Sequence, residues 1–181
     1  NQETYDKLLY QAKICIEVAR SEATLEYMEN IIKNKKDDLT EEERNLVTVA
    51  SKNLISTKRS AWRSIYGLEV REKGSNSKYQ HLVSDLKLKL EKELKQGCNR
   101  MLNLIDNYLM KKANTAVSKV FYLKCKGDHY RYIAEFTLED NHEEVAKSSL
   151  NAYQQASEAA KALPNSNPIK LGLALNYSVF Y

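Results

Sequence analysis

The stretch "SKVFYLKCKGDHYRYIAEF", residues 118–136, combines many large apolar side chains with four charged ones at regular intervals. Lys124, Asp128, Arg131 and Glu135 follow one another at spacings of four, three and four. In an α-helix these spacings place side chains on one stripe, whereas a strand would alternate them between two faces. The stretch therefore predicts a helix, about residues 115–138, that is largely apolar and carries one charged face.

Similar helical periodicity on both sides of this stretch predicts an all-α chain. The predicted helices cover about 3–18, 21–34, 40–73, 79–110, 115–138, 141–162 and a seventh that starts at 168. Short loops between consecutive helices indicate antiparallel neighbours. We therefore predict an antiparallel multi-helix array forming a single domain over residues 1–181, a length sufficient for a substantial core.

Local signals mark several of these helix ends. Thr40, with Glu43 three residues later, is a capping-box signature for the third helix. Asp140 is the predicted N-cap of the sixth helix, and Asn167 before Pro168 that of the seventh. "LVSDLKLKLEKELKQ" alternates like a strand at its leucines, but its length and its Lys and Glu residues favour a helix.

Composition narrows the possible functions. The chain has 28 basic and 24 acidic residues, and a net charge of +4 is too small to indicate a nucleic-acid partner. Its three cysteines are far apart and lack CxxC spacing, which argues against a disulfide framework or a zinc site and favours a cytoplasmic location. No apolar run approaches the roughly 20 residues that span a bilayer, so we predict no membrane partner.

Basic residues recur at intervals of seven on two of the predicted helices. Lys52 and Arg59 share a face of the third helix, and Lys124 and Arg131 share a face of the fifth. If the two helices are neighbours, Lys52, Arg59 and Arg131 form a cluster suited to a dianion, since the planar arginine fork matches phosphate oxygens. The alternative is that these charges are ordinary solvated helix faces.

The seventh predicted helix carries a different kind of surface. Leu171, Leu175 and Val179 fall on one stripe, with Asn176 beside it. An amide beside exposed leucines can hold a peptide main chain while the leucines accept apolar side chains. On spacing alone, the alternative that these residues are part of the core is the more common case.

Enzymatic function is not indicated, and we predict no catalytic residue, metal or cofactor. The three histidines are scattered, and "HEE" at 142–144 lacks the spacing of a metal motif. A helical-repeat scaffold that binds unphosphorylated peptides is the alternative function. Such arrays of the TPR kind repeat every 34 residues or so, and no such period is present here.

Three blocks together resemble the 14-3-3 family: "EERNLVTVASKNLISTKRSAWRSI" at 42–65, "SKVFYLKCKGDHYRYIAEF" at 118–136 and "NPIKLGLALNYSVFY" at 167–181. The resemblance implies a nine-helix array of which this chain covers about the first seven helices, continuing beyond residue 181. It also implies a dimeric adaptor, not an enzyme, that binds phosphoserine or phosphothreonine segments of client proteins. Residues 1–110 would form the dimerisation half with part of the phosphate site, and residues 111–181 part of the groove.

Site residues follow from the resemblance position by position. The phosphate-binding residues would be Lys52, Arg59, Arg131 and Tyr132, and the peptide-groove residues would be Lys124, Leu175, Asn176 and Val179. Asp128 and Glu135 would keep Arg131 aimed into the groove.

The resemblance also places Arg20 and Glu93 at a salt bridge between two subunits. Near them the chain departs from the family, with Ala23 where a second acid is usual and Leu86 where a tyrosine is frequent. We therefore expect a homodimer or heterodimer with altered pairing.

Overall fold

The computed structural model describes residues 2–75, 77–137 and 141–180 of the chain. Within these ranges there are seven main α-helices and no strand. We label them α1 (Gln2–Glu17), α2 (Ser21–Asn34), α3 (Glu41–Ser75), α4 (Gln80–Leu104), α5 (Ala116–Phe136), α6 (His142–Ala159) and α7 (Pro168–Phe180). The predicted all-α class is confirmed, and the predicted ends agree with the observed ones to within a few residues.

Two of the predicted caps are present. The Thr40 hydroxyl accepts from the Glu43 backbone N–H at 3.3 Å, and the Glu43 carboxylate accepts from the Thr40 N–H at 2.6 Å, which completes the capping box. At the start of α7 the Asn167 side chain accepts from the Ile169 N–H at 2.9 Å. Asp140 lies outside the described residues.

Glu43 does more than the sequence predicted. Its side chain is fully buried and also accepts from the Tyr5 hydroxyl at 2.7 Å and from the Lys35 amine at 2.6 Å. These partners lie on α1 and just after α2. A buried carboxylate with several donors is compensated for its lost hydration, so the cap of α3 also fixes the first two helices.

The strand-like leucine alternation falls within α4, where Leu86 and Leu88 are exposed. Beyond Leu104 the helix continues through a π-helical segment, Ile105–Leu109, and a last α-helical turn, Met110–Lys112. The single helix predicted over 79–110 is thus three consecutive helical segments.

Helix α5 lies at the centre of the array and packs against α4, α6 and α7. Its buried residues contribute to all three apolar clusters of the described chain: Tyr122 and Cys125 to the first, Ile133 and Phe136 to the second, Val120 and Leu123 to the third. This central position fixes the orientation of α5, and therefore the direction in which its charged stripe points.

A glycine permits the close packing of α5 on α6. A Cβ atom added to Gly127 would lie 2.7 Å from ring atoms of Tyr153, which is fully buried on α6. The absent side chain at Gly127 thus makes room for the tyrosine ring.

A buried histidine joins α5 to α3. The Nδ1 atom of His129 is 2.7 Å from the Cys125 carbonyl oxygen, which can only accept, so Nδ1 carries the proton. Nε2 then accepts from the Ser51 hydroxyl at 3.1 Å. Burial lowers the pKa of His129 below its usual value. These contacts hold a neutral imidazole between the helices, as expected for a structural histidine.

The described residues show neither a membrane-spanning helix nor a metal-binding cluster. None of their helices is long and apolar enough to cross a membrane. They also contain no group of three or more His, Cys, Asp or Glu side chains that could hold a metal ion.

The packing at Gly127 predicts opposite effects for two glycine substitutions. Gly127→Ala should lower the free energy of unfolding by about 1–3 kcal/mol, because the new methyl group overlaps a rigid buried ring. Gly67→Ala, in α3 with no atom within 4 Å of the added Cβ, should raise it by about 0.5–1 kcal/mol. Urea denaturation followed by circular dichroism measures both, and equal effects would contradict the packing at Gly127.

The His129 contacts predict a loss of stability in mild acid. Because the pKa is lowered on folding, the neutral ring contributes its stability above the unfolded value of about 6.5, and this is lost as pH falls. Between pH 7.5 and 5.5 the free energy of unfolding should fall, by at most about 1.4 kcal/mol, because the unfolded chain takes up the proton more readily than the folded one. His129→Gln should flatten this slope, whereas His81→Gln, at an exposed position, should retain it.

Candidate functional site

Polar side chains of α3, α5 and α7 meet on one side of α5. The charged stripe predicted on α5 is present, and each of its four members has an ionic partner within the chain. These ionic partners come from α3 and from α5 itself, and α6 and α7 add hydrogen bonds. The site has an α3 side and an α7 side.

Arg59 of α3 and Arg131 of α5 lie against the same aromatic ring. The Arg59 guanidinium carbon is 4.3 Å from the ring centroid of Tyr132, and that of Arg131 is 5.0 Å from it. Such contacts between a cation and an aromatic face are favourable and hold the guanidinium group in place. The structure therefore brings together two of the three cations predicted to form a cluster.

Lys52, the third predicted cation, is exposed on α3 two turns before Arg59. Among the described residues its amine has neither a salt bridge nor a hydrogen bond.

Tyr132 keeps its proton near neutral pH, because burial raises the pKa of its phenol above the usual value. Its hydroxyl is thus able to donate a hydrogen bond.

Glu135 differs from the expectation that it holds Arg131. Its carboxylate accepts from Arg59 Nε at 2.6 Å and from Arg63 Nε at 2.8 Å, because this part of α5 faces α3. Burial favours a higher pKa for Glu135, but the hydrogen bonds from Arg59 and Arg63 outweigh it and lower the pKa. Glu135 therefore orients Arg59 and not Arg131.

Arg63 is a site residue that the sequence argument missed. It lies four residues after Arg59, one helical turn along the same face, and this spacing was the signal that could have revealed it. Its guanidinium shares the Glu135 carboxylate with Arg59.

Asp128 occupies the centre of the α7 side of the site and is only 6% exposed. Its carboxylate accepts from the Lys124 amine at 2.9 Å and from the Asn176 amide at 2.9 and 3.0 Å. Arg131 lies 3.6 Å away through a terminal nitrogen, as a weaker ion pair. The expected pairing of Asp128 with Arg131 is thus present, together with contacts that also orient Lys124 and Asn176.

Tyr153 of α6 is a second residue that the sequence argument missed. Its hydroxyl donates to Asp128 at 2.5 Å and accepts from Arg131 Nε at 3.2 Å. No local pattern could have identified it, because the contact depends on how α6 packs against α5.

The apolar stripe of α7 faces away from the core. Leu171, Leu175 and Val179 are 57%, 65% and 63% exposed, whereas Leu173 is the buried apolar residue of this helix. The alternative that the stripe belongs to the core is therefore wrong for the described chain. The site thus combines cationic side chains with exposed aliphatic ones. In the sequence, Asn176 lies between the aliphatic residues Leu175 and Val179.

The two residues expected between subunits are both accessible. Arg20 is exposed next to the start of α2, and the half-exposed Glu93 of α4 forms an ion pair with Lys58 at 2.7 Å within the chain. The Glu93 carboxylate is thus already partly neutralised by its own subunit.

Comparison with known proteins gives a consistent result. A family model described as 14-3-3 protein matches residues 11–181. The chain is 43% identical over 180 residues to 14-3-3 protein 10 of Solanum lycopersicum, an alignment covering 97% of this chain and 71% of that protein. It is 41% identical over 177 residues to 14-3-3 protein 2 of Entamoeba histolytica, covering 97% and 74%.

A third relative, 14-3-3 protein homolog 2 of Schistosoma mansoni, is 49% identical over 146 residues, covering 80% of this chain and 68% of that protein. The match to the family model extends through α3, α5 and α7, which supply the site. The chain therefore belongs to the 14-3-3 family, whose members are non-enzymatic adaptors with client proteins as their partners.

Proposed function

We propose that this chain binds phosphoserine or phosphothreonine segments of client proteins between α3, α5 and α7. The observation that carries the proposal is the placement of Arg59 and Arg131 against one ring, that of Tyr132. Lys52 lies on the same face of α3 as Arg59 and has no ionic partner among the described residues. A ligand at this place meets fixed cations from two helices.

The charge balance favours a dianion. A phosphoryl group carries about −1.5 to −2 charges at neutral pH, whereas Asp or Glu carries one. Within the cluster, Glu135 supplies a single negative charge, which Arg59 and Arg63 share. Asp128 supplies a second negative charge, so with the five basic residues of the site the net charge is about +3, which matches a doubly charged ester better than a carboxylate. The five basic residues are Lys52, Arg59, Arg63, Lys124 and Arg131.

The α7 side suits the peptide that carries the phosphate. Asp128 fixes Lys124 and Asn176 by direct hydrogen bonds, so both donors are held before a ligand arrives. With its amide nitrogen on Asp128, Asn176 can present its side-chain oxygen to a peptide main-chain N–H. Leu175 and Val179 are exposed and can cover the apolar side chains of the peptide.

We further propose that the chain acts in signal transduction in the cytoplasm, as a homodimer or heterodimer. Arg20 and Glu93 are the residues proposed to pair across subunits, and both are accessible. The three cysteines are free, which suits a reducing compartment. Residues 1–110 would form the dimerisation half with part of the phosphate site, and residues 111–181 part of the groove.

A direct test compares one fluorescent serine-containing peptide in phosphorylated, unmodified and glutamate-substituted forms. Fluorescence anisotropy should show at least about ten-fold tighter binding of the phosphorylated peptide, because charge-assisted hydrogen bonds are the stronger ones. The glutamate form should bind nearly as weakly as the unmodified form. Equal affinity for all three would instead favour a scaffold for unphosphorylated peptides.

The two arginines can be tested individually. Arg59→Ala and Arg131→Ala should each weaken phosphopeptide binding by at least about 100-fold, since each removes charge-assisted hydrogen bonds to the ligand. The helical circular dichroism signal should be unchanged. Arg71→Ala, an exposed arginine of α3 about 18 Å along the axis from Arg59, is the matched control and should bind normally. Full affinity in either site variant would remove the basis of the assignment.

A further inference from the structure

We propose that Tyr153 of α6 is a positioning residue that sets the direction of Arg131 and links it to the Asn176 side of the site. The inference rests on the proposed function, because Arg131 and Asn176 are residues proposed to bind the phosphopeptide. Tyr153 itself is fully buried and is not placed to touch the ligand.

The direction of the two hydrogen bonds determines what the hydroxyl does. Its proton is donated to Asp128 Oδ1 at 2.5 Å, and its oxygen then accepts from Arg131 Nε at 3.2 Å. Burial raises the pKa of Tyr153, so the proton is present at every physiological pH. With Nε satisfied inside the protein, the two terminal nitrogens of Arg131 are the donors that remain for a ligand.

The same hydroxyl supports the peptide side. Asp128 Oδ1 accepts both from Tyr153 and from the Asn176 amide at 2.9 Å. This one carboxylate therefore accepts hydrogen bonds from α6 and from α7. Through the Tyr153 hydroxyl it is also connected to Arg131 on α5. A change at the hydroxyl therefore alters the phosphate side and the main-chain side together.

Packing fixes the hydroxyl in place without a ligand. The ring lies against Gly127 of α5, where even a methyl group would be too close. On α7, the Tyr177 ring stacks on the Tyr153 ring with the two centroids 5.4 Å apart. The Phe180 ring packs edge-on against it, at a centroid distance of 6.0 Å. Three helices therefore determine the position of one oxygen atom, which is the kind of rigid support that precise binding groups require.

Tyr153→Phe tests the inference, because it removes the oxygen and keeps the ring. Phosphopeptide affinity, measured by anisotropy, should fall about ten-fold, the effect of freeing one hydrogen-bonded charged group. Affinity for the unmodified peptide should fall less, because that peptide meets the Asn176 side of the site but has no phosphate for Arg131. Tyr122→Phe is the matched control, since it removes another tyrosine–aspartate hydrogen bond, to Asp38 at 2.7 Å, from a buried ring on α5, the helix that carries Arg131. Its phosphopeptide affinity should equal that of the wild type.

A second measurement uses the unaltered protein and does not depend on the folding of a variant. Solvent exchange of the arginine Nε–H groups by NMR should be slower for Arg131 than for the exposed Arg71. Equally fast exchange, or wild-type phosphopeptide affinity in Tyr153→Phe, would overturn the role of Tyr153 while leaving the proposed function intact. If the wild type does not distinguish phosphorylated from unmodified peptide, the proposed function fails instead.

Discussion

The buried carboxylate of Asp128 is the interaction on which the arrangement of α5, α6 and α7 depends. A carboxylate taken out of water is costly unless donors surround it, and here Lys124, Tyr153 and Asn176 supply them from these three helices. Because the requirement is met only when the helices are in register, the carboxylate specifies their relative positions. The same contacts aim the side chains proposed to bind the phosphopeptide.

Glu43 and Glu135 have comparable roles elsewhere in the chain. Glu43 caps α3 and connects it to α1 and to the segment after α2, and Glu135 connects α5 to α3 through two arginines. Burial favours a higher pKa for each, but the hydrogen bonds that each carboxylate accepts outweigh it and lower the pKa. Acidic side chains thus join the helices that carry the basic cluster, so the cations have fixed directions before any ligand binds.

Local patterns predicted the helices well and their mutual contacts less well. Thr40 with Glu43, and Asn167 before Pro168, marked helix starts because a cap depends on residues a few positions apart. The partner of Glu135 could not be predicted from the sequence. Arg131 lies one helical turn away, but that spacing does not show whether Glu135 faces Arg131 or a cation on another helix. Tyr153 gave no signal, because the register of α6 against α5 is set by Gly127. The exposure of Leu175 likewise depends on tertiary packing.

The contact between Glu135 and Arg59 restricts the angle at which an anion can approach. The Nε–H of Arg59 is occupied by the carboxylate, so incoming oxygens encounter the outer edge formed by the two terminal nitrogens. Tyr132 covers one face of the same guanidinium group. An anion bound at Arg59 as proposed would therefore be selected by the direction from which it approaches the guanidinium group, and not by its charge alone.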